Sequence, residues 1–265
     1  MEIIGYIASL VIGISLGLIG GGGSILTVPV LVYLFGVNPV EATAYSLFIV
    51  GLTSLVGVFP KCKSGEVALK TAFIFGIPSI AAVYSTRAFI VPAIPEKLFS
   101  IGDFAVSKAL MIMILFAVLM VFAAVSMIRN KKTKPEEAGA QKFNYPVIVL
   151  EGAVVGVLTG LVGAGGGFLI IPALVLLSKL PMKQAVGTSL LIIAAKSLIG
   201  FTGDIGKHPM DWSLLLSVTG LAIAGIFIGN ALSKKVSADG LKKGFGWFVL
   251  VMGCYIIVKE LFFRG

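Results

Sequence analysis

The sequence predicts an all-α polytopic membrane protein built of two inverted repeats, each a glycine-broken, re-entrant helical hairpin followed by three transmembrane helices. Three observations carry that expectation. Hydrophobic residues make up 58% of the 265-residue chain and charged residues 12%, against about 45–50% and about 25% in soluble proteins. Mean hydropathy is +1.07, which leaves too little polar surface to cover a globule in water. The apolar residues fall in long runs, the pattern of membrane-spanning helices, and the second half of the chain repeats the first.

The runs cover Ile3–Ile19, Ser24–Phe35, Val40–Phe59, Val67–Val91 and Phe104–Ile128. Then comes Arg129–Lys142, which is charged, contains Pro135 and Gly139, and shows no apolar face; it reads as a solvated cytoplasmic linker over 129–143. The pattern restarts with Tyr145–Val162, Phe168–Leu177, Met182–Gly203, Trp212–Leu232 and Leu241–Phe263. The chain therefore divides into a first membrane repeat at 1–128 and a second at 144–265. With Glu2 and no basic stretch ahead of the first run, a cleaved signal peptide is not expected.

Displacing the chain by 143 residues lays Gly17–Pro29 on Gly160–Pro172, with the glycines and the proline in register. Without a gap, Glu41–Leu47 then meets Gln184–Leu190, and Ser54–Gly57 meets Ser197–Gly200. Chance pairs Leu with Ile easily in apolar sequence. It does not align Gly, Pro and Ser over such a length, so the repeat is a duplication. Charge sets its orientation. If each half crosses an odd number of times, the loops at Lys61–Lys70, Arg129–Lys142, Lys179–Lys183 and Lys234–Lys243 share one side and hold fourteen of the 21 Lys and Arg. An even number per half gives nearly equal sides, so the cytoplasmic excess of Lys and Arg favours inversion.

The first two runs of each half are short for a bilayer. Ile3–Ile19 is about 25 Å of helix and Ser24–Phe35 about 18 Å, against a hydrocarbon core of about 30 Å. Between them lie Gly20–Gly23, matched by Gly163–Gly167. Either both segments span, or they form a re-entrant V with its glycine tip at mid-depth; the V is favoured. Non-helical backbone at membrane depth survives only where it lines a cavity or is buried in protein, and matched broken helices point to a transporter's midplane site. Amides at Gly21, Gly22, Gly23 and Ser24, and at Gly165, Gly166 and Gly167, would favour an anion. Close helix packing is the plainer role for such glycines. Nucleotide motifs fail: neither copy has the Lys of a P-loop, and Ile25 and Phe168 occupy the last position of a dinucleotide spacing.

Hydroxyls repeat beside the breaks: Thr43, Tyr45 and Ser46 in the first half, Thr188 and Ser189 in the second. Lys196 is the most informative single residue. A lysine at a helix centre costs about 2.5–3.5 kcal/mol on insertion scales and should face protein or water. It reads either as a fixed cation for an anionic substrate or as a structural partner of Asp204 or Glu151. Its repeat mate is Thr53, so the site would be electrically asymmetric. Arg87 is expected to snorkel from a helix end. His208, the sole histidine, sits in a loop without metal-ligand spacing, and Cys62 and Cys254 suggest no disulfide framework. The net charge of +9 sits in loops, not on a nucleic-acid-binding stripe. No cofactor, metal or nucleic acid is expected.

On Gly20–Ser24 with Pro29, Gly163–Gly167 with Pro172, Ala185–Leu190 and Ser197–Gly200, the chain resembles the TauE/SafE sulfite-exporter-like permeases, and the resemblance covers both halves. It implies a multi-pass inner-membrane permease exporting small sulfur-containing anions, such as sulfite, sulfonates or thiosulfate-like species. Many relatives look to carry Asn where this chain has Lys196, and Ala44-Tyr45-Ser46 stands where the second half has Gly187-Thr188-Ser189. Alternating access of an anion around a midplane site is the expected function. A channel or cation carrier of the same architecture is the alternative and should show acids lining its path. An intramembrane enzyme is not expected, since HExxH is absent and the one histidine lies in a loop.

Overall fold

The computed structural model describes residues 2–101, 104–129, 145–176, 180–207, 209–233 and 238–262. The linker expected over 129–143 falls, from residue 130 on, outside these residues, as does His208. Among the described residues, seven helical stretches are long and apolar enough to cross a membrane. The protein is an all-α polytopic membrane protein.

Helix α1 (Glu2–Ile19) ends at Gly20, whose φ of +72° is left-handed backbone that favours glycine. A 3-10 segment, Gly20–Leu26, leads into α2 (Thr27–Tyr33). Length and hydropathy alone would count Ile3–Tyr33 as one stretch, but the chain reverses within it. The Phe35 ring lies 5.3 Å from that of Tyr6, whereas a straight helix would hold these residues about 44 Å apart. The first break is therefore a hairpin. The second is built alike: α7 (Tyr145–Val162), a turn with positive φ at Gly163, Gly165 and Gly166, and α8 (Gly167–Leu176). Ile148 and Leu174, from the two arms, share one apolar cluster.

Three long helices follow each hairpin. In the first half these are α3 (Pro39–Lys63), capped at its start by the Asn38 side chain, then α4 (Leu69–Ser85) and, later, α6 (Lys108–Arg129). In the second they are α9 (Met182–Thr202), α10 (Trp212–Leu232), capped by Asp211, and α11 (Ala238–Phe262). After α4 comes a π turn, Thr86–Ile90, then the short α5 (Val91–Ala93). One expected boundary moves. The run from Phe104 does not start a helix: β1 (Lys97–Ile101) pairs antiparallel with β2 (Phe104–Ser107), and α6 begins at Lys108. Two short, mostly apolar runs joined by the two turn residues Gly102-Asp103 suit a hairpin, and apolarity alone does not distinguish that from a helix start.

In lipid the tails are as apolar as leucine, so helices associate by close contact rather than by escape from water. Small residues supply that contact here. Gly13 and Gly17 of α1 lie on the backbone of α10 at Ala222 and Ile226–Asn230, and Gly225 and Gly229 reciprocate at Leu10–Ile14 and Gly17. Gly152, Gly156 and Gly160 of α7 lie likewise on α4 at Phe75, at Ser79 and at Val83 with Thr86 of the π turn. Both pairs run in the same direction. By contrast α3 packs antiparallel on α9, with Gly51 against Leu198 and Gly57 against Leu190, and α6 packs antiparallel on α11, with Gly246 against Met127 and Gly253 against Val121. Large apolar side chains such as Phe73, Phe122, Leu150, Leu216 and Val251 point outward.

Candidate functional site

The two glycine breaks meet halfway along α3 and α9. A Cβ on Gly21 would stand 2.5 Å from Gly167 Cα and against Ile193, and one on Gly165 would touch Val50, Ile193 and Ser24. Val50 and Ile193 each lie one residue from the middle of their helices. The outer glycines sit symmetrically. Gly20 rests on Val186, and Gly163 on Thr43, positions related by the same 143-residue displacement. Only glycine permits such backbone-on-backbone contact at the crossing. The whole 3-10 segment is buried, and Ser24 Oγ donates to Gly21 O at 2.7 Å.

Lys196 enters this crossing from α9. It is fully buried, its Nζ donates to Thr159 Oγ1 at 3.0 Å, and it stands 2.7 Å from where a Cβ on Gly166 would be. Among the described residues no carboxylate lies within ion-pair distance of it. Asp204, one of the two partners the sequence offered, is taken by Arg87. An ammonium held in protein by one neutral hydroxyl is costly, and either a counter-ion or loss of the proton relieves that cost. The first turn of α8 begins beside it at Gly167; Leu169 N and Ile170 N donate back to Gly166 O, each at 3.0 Å, which leaves the amides of Gly167 and Phe168 as those the turn can present.

The other expected site residues divide. Gly21, Ser24, Gly165, Gly166 and Gly167 lie at the crossing, while Gly23 folds back onto Ser15 and Leu16, and Gly22 lies against Ile19. Ser46 Oγ is buried with no hydrogen-bond partner among the described residues. Ser189 Oγ donates to Val186 O at 2.8 Å within its own helix. Thr188 Oγ1 accepts from Ala68 N at 2.9 Å and so holds the start of α4. Three further groups were not singled out as site residues in the sequence. Thr159, the acceptor for Lys196, looks like any helix threonine until the fold brings it there. Ser54 and Ser197 are buried hydroxyls without partners among the described residues, one turn beyond Val50 and Ile193; their shared place in the repeat was the available signal. A mostly apolar hollow adjoins the crossing, lined by Ile19 and Gly22 of the first break, Phe168, Ile171, Pro172 and Val175 of α8, and Ser126, Met127 and Met182.

Arg87 corrects an expectation. It does not snorkel: it is fully buried, its Nε lies 2.8 Å from Asp204 Oδ2, and its Nη1 donates to Thr43 Oγ1 at 3.0 Å. The π turn carries it inward rather than along the helix surface, and once buried a guanidinium needs a counter-ion. Lys207 Nζ donates to the carbonyls of Arg87 at 2.7 Å and Ala88 at 3.1 Å. Burial pushes the Lys207 ammonium below its ordinary pKa; Asp204 opposes this, and Arg87 and Lys108 add to it. Nearby, Asp211 N donates to the Tyr45 hydroxyl at 2.6 Å.

Comparisons with known proteins point to membrane transporters. The family model described as sulfite exporter TauE/SafE matches residues 6–256. A "Probable membrane transporter protein" of Xylella fastidiosa is 31% identical, over 94% of this chain and 92% of its own. "Probable membrane transporter protein YunE" of Bacillus subtilis is 28% identical over 97% and 99%. A "Probable membrane transporter protein" of Methanocaldococcus jannaschii is 26% identical over 95% and 94%. No solved structure matches the chain.

Proposed function

The chain belongs to the TauE/SafE sulfite exporter family of membrane transporters, and from that premise we propose that it exports small sulfur-containing oxyanions, sulfite or sulfonates, by alternating access around the glycine crossing. The observation that carries the proposal is Lys196, a buried ammonium with one hydroxyl acceptor and no acid partner among the described residues, set against the second glycine break. A transported anion would supply the missing charge, and the amides at the start of α8 and the hydroxyls of Ser54 and Ser197 would complete its hydrogen bonds.

In this reading residues 1–128 and 144–265 are inverted repeats joined by a cytoplasmic linker over 129–143. Each half crosses the membrane three times after its hairpin, and the crossing lies at the midplane. The parallel pairs α1 with α10 and α4 with α7, and the antiparallel pairs α3 with α9 and α6 with α11, support this, because each pair maps onto another or onto itself under the 143-residue displacement. Rocking of one half against the other would then expose the crossing to each side in turn. No catalytic role is assigned, and the partners are the anion and the lipid bilayer of the cell's inner membrane.

The test is sulfite efflux from proteoliposomes holding the purified full chain. Lys196→Ala and Lys196→Met are expected to abolish flux while the protein keeps its folded elution profile. Undiminished flux in folded Lys196→Met would remove the ammonium from the mechanism. Flux of sodium or potassium independent of sulfite would replace the anion reading altogether.

A further inference from the structure

Arg87 is the largest fully buried side chain among the described residues. Its guanidinium is only partly used: Nε faces Asp204, Nη1 binds Thr43, and Nη2 has no hydrogen-bond partner among the described residues. It rides on a π turn, a local departure that is frequent at functional sites. Thr43, which it binds, is also the residue on which Gly163 rests. The second break is thus bracketed by two buried cations, Lys196 at Gly166 and Arg87 beyond Gly163.

The repeat shows that this pair is not a general requirement of the architecture. Displacement by 143 residues puts Asn230 in the place of Arg87 and Lys61 in the place of Asp204. Lys61 pairs instead with its neighbour Glu66 at 2.9 Å, and the Asn230 side chain is buried without a hydrogen-bond partner among the described residues. A buried ion pair therefore closes one end of the repeat relation and not the other. Arginine stays charged in proteins, and its planar fork takes two oxygens of one anion, which a carboxylate offers with both of its oxygens and a sulfite or sulfonate with two of its three.

We infer that Arg87 is a second oxyanion-binding site, filled in this structure by the Asp204 carboxylate, which the transported anion displaces as it passes between Lys196 at the Gly166 end of the second break and Arg87 beyond its Gly163 end. The inference rests on the reading of the chain as an oxyanion exporter and adds Arg87 and Asp204 to it. Exchange of one anion for another keeps the guanidinium paired throughout, so no bare charge is left inside the protein. Asp204 lies in the turn with Lys207, whose main-chain N donates to Asp204 O at 3.2 Å and whose Nζ donates to the Arg87 and Ala88 carbonyls, and Lys207 would receive the displaced carboxylate.

Two measurements on the full chain test this. The first is the apparent melting temperature in sodium sulfite or methanesulfonate, against sodium chloride of equal ionic strength, in a Lys196→Met background that silences the central ammonium. There Asp204→Asn is expected to respond at roughly tenfold lower sulfite than its parent, because the resident competitor is gone. The second is sulfite flux with Lys196 intact in the exchange variant Arg87→Asp with Asp204→Arg. It keeps an ion pair and a parental melting temperature, yet flux should fall on the order of a hundredfold because the cation has left the π turn. Should Asp204→Asn yield no folded protein, the exchange variant decides alone. Unchanged sulfite response in Asp204→Asn, or parental flux in the exchange variant, would make the pair a structural clamp and overturn the inference while leaving the exporter reading standing. Absence of any sulfite or methanesulfonate flux in the parent protein would overturn both.

Discussion

Gly167→Ala isolates the contact on which the crossing depends. Neither Gly167 nor its partner Gly21 has a positive φ, so alanine is tolerated by the backbone at both, and any cost is a matter of space. A Cβ on Gly167 would fall on the Cα, C and O atoms of Gly21. Those are main-chain atoms of a fully buried segment, so no side chain can swing aside, and the two breaks must separate. Forcing one extra carbon into a packed interior costs about 1–3 kcal/mol, and main chain on main chain belongs at the top of that range. For a chain of this size that lowers the apparent melting temperature by about 6 °C or more. Two controls set the scale. Gly220→Ala meets nothing within 4 Å in α10 and should be neutral or stabilise by about 0.4–1 kcal/mol. Gly36→Ala also meets open space but has φ +71°, so it should cost about 1–2 kcal/mol through backbone strain alone. Differential scanning fluorimetry of the three variants in one detergent gives the order. If Gly167→Ala melts with Gly220→Ala, the breaks do not touch as described, and the site built on them is wrong.

Thr159→Val takes away the acceptor that Lys196 uses, which should cost about 1–3 kcal/mol; Thr159→Ser should recover most of it, and equal melting of both variants would show that the bond is idle. Asp211→Ala removes the cap that accepts from Leu214 N at 3.0 Å and should lower stability by about 1 kcal/mol, readable as a shift in the denaturation midpoint. With three crossings per half, reporters fused at the two chain ends belong on one side of the membrane and a reporter inserted within 130–144 on the other; ends on opposite sides would sink the inverted arrangement. Cys62 is exposed beyond the last apolar turn of α3, so an impermeant maleimide should label it from the same side as that linker reporter. Labelling from the opposite side would reverse the assigned orientation.

Much of this protein is determined by one-dimensional pattern. Apolar runs fix which segments are helices in lipid, because an unpaired backbone is intolerable there. The duplication of Gly20–Gly23 as Gly163–Gly166 marks the places where helices break, since left-handed turns at Gly20 and Gly163 favour glycine whatever surrounds them. The burial cost of Lys196 makes it conspicuous without any structure. What the sequence leaves open is partnership. Lys196 had Asp204 and Glu151 as candidate acids, and the fold gives Asp204 to Arg87 and gives Lys196 only Thr159. Arg87 near a helix end satisfies a rule for surface residues, and only the π turn at Thr86–Ile90 carries it inside. Strands at 97–107 escaped notice because a short apolar run serves either structure. The physical reason is range. Helix formation and backbone satisfaction are decided within a few neighbouring residues, whereas the neighbours of a buried charge come from helices more than 30 residues apart in the chain, and only their packing decides which charges meet.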